Sequence, residues 1–292
     1  MKLTLRKFWI VLLCLVQAGF ATAKENPPLR VLTSFYPIYV MTLNVVGETP
    51  GVTVECMTEP FTGCLHDYQL TTADLKKLAT SDIFVANGAG MEMFLQKALG
   101  QAPKLKIIEA TKGVALAFPD NPHLWVSITG AIDETNAIAK GLAAADPAHA
   151  AAYGQNAAAY VARLDALRQK MHAALDGVKG SEIVTFHEAF PYFASEFGLK
   201  IAAVVEREPG SEPSAGELAA TIRIVRQHHV RALFAEPQYP ARSAEMIRRE
   251  TGIPVRTLDP AVTGPRDPQQ ARDAYLRSME ANLKVLQEAL KP

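Results

Sequence analysis

The sequence predicts an α/β protein of two lobes, each with a mainly parallel sheet flanked by helices, joined by one long rigid helix. Three observations carry this reading. Short β-like runs alternate with helical patterns across residues 29–109, and the same order returns across residues 182–258; this alternation is what parallel sheets with crossover helices require. Between the two halves lies an alanine-dominated stretch, Ala148–Leu175, with Gly154 as its single breaker. Alanine is the best helix former.

In the first half, Leu29–Phe35, Val52–Met57, Asp82–Ala86 and Leu105–Glu109 read as strands. Helical patterns lie at Ile38–Val46, Thr72–Thr80 and Glu92–Leu99. Thr71-x-x-Asp74 has the form of a capping box, in which hydroxyl and carboxylate satisfy amides left open at a helix start. In the second half, Glu182–Phe186, Ile201–Glu206, Ala232–Ala235 and Val255–Leu258 read as strands. Ser214-x-x-Glu217 opens a helix running to His228, and a last helix spans Pro268–Leu290. Neither a short-period repeat nor a low-complexity tract interrupts this order.

Asp146-Pro147 predicts the start of the connecting helix: aspartate accepts from open amides and proline has none to leave unpaired. Tyr153, Ala157, Tyr160, Leu164, Leu167, Met171 and Leu175 recur at spacings of four and three, which lays one apolar stripe along one helix face. At ~1.5 Å per residue, the stretch makes a rod of roughly 42 Å, enough to span both lobes. A flexible linker would let the lobes swing widely; a packed rod restricts them to small motions. Gly177 and Gly180 end it. The expected organisation is an export signal at 1–23, an N-terminal lobe at 24–146, a linking helix at 147–176 and a C-terminal lobe at 177–292.

Lys2, Arg6 and Lys7, the apolar run Phe8–Phe20 and the small-residue site Ala21-Thr22-Ala23 form the pattern of a cleaved secretory signal. Cys14 lacks the preceding small residue of a lipid-attachment site. Cleavage removes three positive charges and no negative ones, so a net charge of 0 becomes −3. That mild balance, with no basic stripe, excludes nucleic acid as the expected partner. Later apolar runs are too short for a transmembrane helix. Cys56 and Cys64 would survive cleavage, and three readings stay open for them: a disulfide, two free thiols, or a soft-metal pair, the last without zinc-ribbon spacing.

Four residues carry candidate chemistry. His66 follows the Val52–Met57 strand, His123 follows Leu105–Glu109, His187 ends Glu182–Phe186, and Asp259 ends Val255–Leu258. In open parallel sheets, ligands bind beyond the carboxyl ends of the strands. Two candidates come from each lobe, so all four can meet in the crevice between them. Three neutral imidazoles and one carboxylate suit tetrahedral Zn²⁺, whereas Mn²⁺ favours more oxygen ligands. His149 and His172 fall on the connecting helix as solvent-facing groups. His228 and His229 lie at a helix C-terminus, where imidazole complements the dipole.

Leu32-Thr33-Ser34-Phe35-Tyr36-Pro37, His66-Asp67-Tyr68, Asn87-Gly88-Ala89-Gly90-Met91-Glu92, Asn121-Pro122-His123-Leu124-Trp125, Thr185-Phe186-His187-Glu188-Ala189-Phe190, Glu212-Pro213-Ser214 and Phe234-Ala235-Glu236-Pro237-Gln238 follow one another in this order. In that arrangement the chain resembles the zinc- and manganese-binding solute receptors of ABC-type importers, the cluster A-I binding proteins. The resemblance covers nearly all of the mature chain. It implies a periplasmic monomer that takes up one divalent metal, Zn²⁺ or alternatively Mn²⁺, between its lobes and passes it to an ABC-type permease with its ATPase. The family's ligand positions match His66, His123, His187 and Asp259, and histidine at the third is similar to the zinc-type members. Asp67 and Glu236 are candidates to accept a ligand imidazole N–H. Trp125, Phe186, Phe190 and Tyr68 are candidates for a dry wall.

Two features depart from the pattern. Lys112–Asn121 contains no histidine, unlike the His- and acid-rich loop of many zinc-type members. Gly63-Cys64 replaces the Pro- and Asp-containing segment common before the first histidine. Other functions remain to be weighed. His187-Glu188 suggests a zinc hydrolase in which glutamate acts as general base. Four protein ligands would close the position that catalytic zinc keeps for water, and no H-E-x-x-H helix is present. No enzyme activity is therefore expected. A metal-binding surface adhesin or buffer on the same fold is the third reading.

Overall fold

The structure is a computed structural model and describes residues 27–66, 68–100, 102–205, 213–228, 230–238 and 242–291. The expected export signal, Asp67, Glu206, Glu212 and His229 lie outside them. The apolar runs of the first half pair as β1 (Leu29–Thr33), β2 (Val52–Cys56), β3 (Ile83–Ala86) and β4 (Lys106–Glu109), all parallel, in the order β2-β1-β3-β4. Those of the second half form β5 (Glu182–Thr185), β6 (Lys200–Val204), β7 (Leu233–Ala235) and β8 (Val255–Thr257), again parallel, in the order β6-β5-β7-β8. The central strand β3 is buried throughout, as expected where helices cover both sheet faces.

The helices are α1 (Tyr36–Val46), α2 (Thr72–Thr80), α3 (Gln96–Gly100), α4 (Ile128–Ala145), α5 (Ala150–Leu175), α6 (Pro191–Phe197), α7 (Ala215–Gln227), α8 (Arg242–Thr251), α9 (Pro268–Ala271) and α10 (Ala274–Leu290). Both capping boxes form, Thr71 with Asp74 at α2 and Ser214 with Glu217 at α7. Three helices go beyond the sequence reading: α4, α6 and α8. The hydroxyl of Ser127 caps α4 by accepting from the Gly130 amide at 3.0 Å. The expected last helix is two, because the segment turns at Arg272-Asp273 between α9 and α10. No described helix is long and apolar enough to cross a membrane.

The long helix α5 buries all seven residues of the expected stripe. Its start differs from expectation. Pro147–His149 form a single 3₁₀ turn, and the Asp146 carboxylate makes no cap bond to it. That carboxylate accepts instead from His149 Nδ1 at 2.6 Å and from Tyr153 Oη at 2.7 Å. His172 is also less free than expected, with its ring 5.0 Å from Phe197 and its Nε2 3.7 Å from Glu196. His228 pairs with Glu182 at 3.1 Å.

The α5 helix packs against α1, α4, α6 and α10, so one apolar cluster runs through both halves. Separate smaller clusters cover the outer face of each sheet, around Phe84 in one and Leu233 in the other. Polar bonds also cross between the halves. Tyr36 Oη donates to the Pro265 carbonyl at 3.1 Å, Trp125 Nε1 to Pro260 at 2.9 Å, and Tyr275 Oη to Trp125 at 2.8 Å. The guanidinium of Arg272 caps the end of α1 by donating to the Leu43 and Gly47 carbonyls. At Gly264 any Cβ would lie 2.3 Å from Tyr36 Oη, so only glycine lets the 260–265 segment close over α1. Cys56 and Cys64 are both free thiols, which removes the disulfide reading.

Candidate metal centre

The carboxyl ends of the strands in both sheets face the same crevice. His187 stands two residues beyond β5, and Glu236 directly follows β7, its neighbour in the sheet. These strands flank the point where crossovers diverge to opposite faces, the usual ligand position in such sheets. His66 lies on the loop between β2 and α2, fixed by fully buried Leu65. His123 opens the 3₁₀ turn Leu124–Val126 that leads into α4.

Three of the four expected ligands come together. His66 Nε2 is 3.0 Å from His123 Nε2. The His187 ring is 4.7 Å from that of His123 and 5.5 Å from that of His66, centre to centre. Two of the imidazoles are oriented by specific acceptors. Asn121 Oδ1 accepts from both the backbone amide and Nδ1 of His123, each at 3.0 Å. Glu236 Oε1 accepts from His187 Nδ1 at 2.9 Å, and Glu236 Oε2 in turn accepts from Gln238 Nε2. Protons on both Nδ1 atoms leave the Nε2 lone pairs as the available donors, the arrangement found behind metal-ligating histidines. Burial pushes the His123 imidazole well below its usual pKa, helped by repulsion from His187 and His66, so it stays neutral.

The loop that carries His123 is held by a second turn. Glu92, itself buried, accepts from the amides of Asn87 at 2.7 Å and Gly88 at 3.0 Å. This closes the Asn87–Glu92 motif and aims Asn87 Nδ2 at the Pro122 carbonyl, 3.0 Å away. Gly88 has φ +84 and its missing Cβ would sit 2.4 Å from Thr111 Oγ1, so the turn demands glycine. A cleft of about 520 Å³ lined by Gly90, Met93, Asp120 and Glu188 leads to His66 and His123 from solvent.

Asp259 is placed differently. One carboxylate oxygen accepts from the Ala261 amide and the other from Ser278 Oγ, both at 2.8 Å. Ala261 takes a left-handed φ of 59° to present that amide. Burial pushes the Asp259 carboxyl up, while these two bonds pull it back down. The group that joins the three imidazoles is Cys64: its Sγ and one ring nitrogen from each histidine all lie within 4.8 Å of one another. The sequence reading weighed Cys64 as a partner of Cys56 or as a small apolar residue beside the site; its C-x-H spacing to His66 was the available signal for a ligand.

Of the four aromatic candidates, Trp125 lies beside the site, its ring centre 5.1 Å from that of His123 and tilted by 51° to it. Tyr68 turns to α2, donating to Asp74 at 2.9 Å. Phe190 packs on Phe193, and Phe186 joins the outer cluster of the second sheet. Glu188, the candidate general base, is exposed; its carbonyl accepts from Asn121 Nδ2 at 2.7 Å.

Two parallel sheets bridged by a packed helix, with strand ends converging on one crevice, define a helix-linked, two-lobed solute-receptor fold. The chain belongs to the family described as zinc-uptake complex component A, periplasmic (ZnuA), which matches residues 31–289. It is 30% identical over 283 residues to the zinc-binding lipoprotein AdcA of Streptococcus pneumoniae, covering 89% of this chain. The chain spans about half the length of that curated relative, 55% of it. Among solved structures it is similar to the solute-binding protein FpvC of Pseudomonas aeruginosa in complex with Mn²⁺, with a TM-score of 0.81, 33% identity and 90% and 98% of the two chains covered. It is also similar to the laminin-binding protein Lmb of Streptococcus agalactiae, described as an adhesin with metal-transporting activity. There the TM-score is 0.80, the identity 30%, and the coverage 90% and 100%.

Proposed function

We propose that this protein is an exported receptor that binds one divalent transition metal, zinc foremost, in the crevice between its halves and delivers it to an ABC-type permease and its ATPase. The observation that carries the reading is the convergence of His66, His123 and His187 on one point, two of them with Nδ1 already committed to an acceptor. Imidazole nitrogens bound to one zinc at about 2.0–2.1 Å lie ~3.3 Å apart in a tetrahedron. The 3.0 Å between His66 and His123 is already close to that edge. Asp259, the acidic position that the family resemblance implies, would have to give up Ser278 and the Ala261 amide to join them. The lobes are taken as residues 24–146 and 177–292 about the linker 147–176. The export pattern at residues 1–23 and the lipoprotein relative support a location outside the cytoplasm.

The test is calorimetry of protein stripped of metal, titrated with Zn²⁺ and separately with Mn²⁺. One site per chain, with Zn²⁺ the tighter, is expected; no heat with either ion overturns the reading. A turnover screen of the zinc-loaded protein addresses hydrolysis, which would have to depend on Glu188.

Acid should oppose binding. The depressed pKa of His123 means that the unfolded chain takes up a proton first, near the ordinary value of about 6.5. Its contribution to stability is therefore complete above that pH and is lost as pH falls below it. The urea midpoint of metal-free protein should drop between pH 7 and pH 5. Bound zinc should move that drop to lower pH, because protons must displace the ion from the imidazoles. In His123→Ala the metal-free dependence should flatten. An unchanged slope would remove His123 as its source.

A further inference from the structure

We infer that Cys64 supplies the fourth donor to the bound metal, giving a ligand set of three imidazole nitrogens and one thiolate sulfur. This rests on the receptor reading above and sharpens its choice of ion. Cys64 is a buried free thiol two residues before His66 on the same non-helical loop, with buried Leu65 anchoring the chain between them. Its Sγ and one ring nitrogen each of His66, His123 and His187 lie within 4.8 Å of one another. Zinc at about 2.3 Å from sulfur and about 2.0–2.1 Å from nitrogen needs donor separations of roughly 3.3–3.6 Å. The set reaches them by drawing inward about an ångström, with no change of fold. Asp259, by contrast, has both carboxylate oxygens committed to Ala261 and Ser278.

Charge agrees with the assignment. On coordination the thiol loses its proton to solvent and forms one metal–sulfur bond, with no change of oxidation state. The thiolate and the buried Glu236 carboxylate behind His187 then match the two charges of the ion. Sulfur is a soft donor that selects zinc and other thiophilic ions, whereas Mn²⁺ favours oxygen. The site would therefore discriminate against Mn²⁺ through Cys64.

Cobalt(II) is the probe, since its visible bands report tetrahedral coordination and its near-ultraviolet charge-transfer band reports a thiolate. Wild-type protein loaded with Co²⁺ should show both. Cys64→Ser should lose the charge-transfer band and keep visible bands, and Cys56→Ser, whose thiol lies beside Thr58, should retain both. Should Cys64→Ser fold poorly, the wild-type spectrum alone decides. Visible bands without the charge-transfer band would overturn the thiolate assignment while leaving the receptor reading intact. Absence of any cobalt spectrum or cobalt-induced thermal shift would overturn the receptor reading itself.

Discussion

Alanine at His123 or His187 is expected to abolish the zinc-dependent rise in melting temperature. Ligand that binds only the native state stabilises it by about 4 kcal/mol at a thousandfold excess over Kd. Each of these imidazoles contributes one of the few donors at the point of convergence, and neither has a neighbour that could replace it from the same backbone position. Losing either also frees its support. Without His123 the Asn121 amide oxygen falls from two donors to one, and without His187 the buried Glu236 carboxylate keeps only Gln238 among its bonds described above. An uncompensated buried carboxylate is costly, so His187→Ala should also lower metal-free stability, more than His123→Ala does. Thermal melts with and without zinc, beside calorimetry, separate the two effects. His149→Ala, remote on the Asp146 turn, should retain the full zinc response. Undiminished zinc stabilisation in both site variants would dismiss the imidazole cluster as the binding point.

The parts of this site that were legible in the sequence are those fixed by backbone position. His187 stands two residues past β5, so the strand end alone carries it to the crevice, whereas His66 and His123 lie ten and fourteen residues past β2 and β4 and were placed only by the sheet edge from which their loops leave. The apolar stripe of α5 was legible for a similar reason: periodicity determines a face, and all seven stripe residues are buried. Side-chain direction is a different matter. Asp259 sits beyond β8 as expected, yet its carboxylate turns to Ser278, nineteen residues later on α10. Nothing local to Leu258-Asp259-Pro260 encodes that partner. Asp146 shows the same limit, since its choice of His149 and Tyr153 over helix amides depends on how α5 begins. The helix α4 was passed over although Ser127 caps it and Ile128, Ala131, Ile138 and Leu142 form its buried face; its signal lay directly behind the more conspicuous His123-Leu124-Trp125.

Trp125→Ala should be among the most destabilising single substitutions in the chain and should weaken metal binding as well. Trp125 is fully buried and meets Phe35 edge-on at 5.0 Å, inside the first half. Its Nε1 donates across the crevice to the Pro260 carbonyl, while its own carbonyl accepts from Tyr275 on α10. The indole thus braces His123 on one side and the Asp259–Ala261 turn on the other. Truncating a buried tryptophan costs about 3–5 kcal/mol from lost transfer energy and the cavity left behind. Trp125→Phe keeps most of the apolar volume but strands the Pro260 carbonyl, a loss of about 1–3 kcal/mol. Urea unfolding should therefore rank wild type above Trp125→Phe above Trp125→Ala, with exposed Phe61→Ala within about 0.5 kcal/mol of wild type. Zinc affinity should follow the same order, because a slack His123 ring binds only in the fraction of molecules that hold it in place. If Trp125→Phe bound zinc as weakly as Trp125→Ala, the hydrogen bond to Pro260 rather than the indole's bulk would be what positions the site.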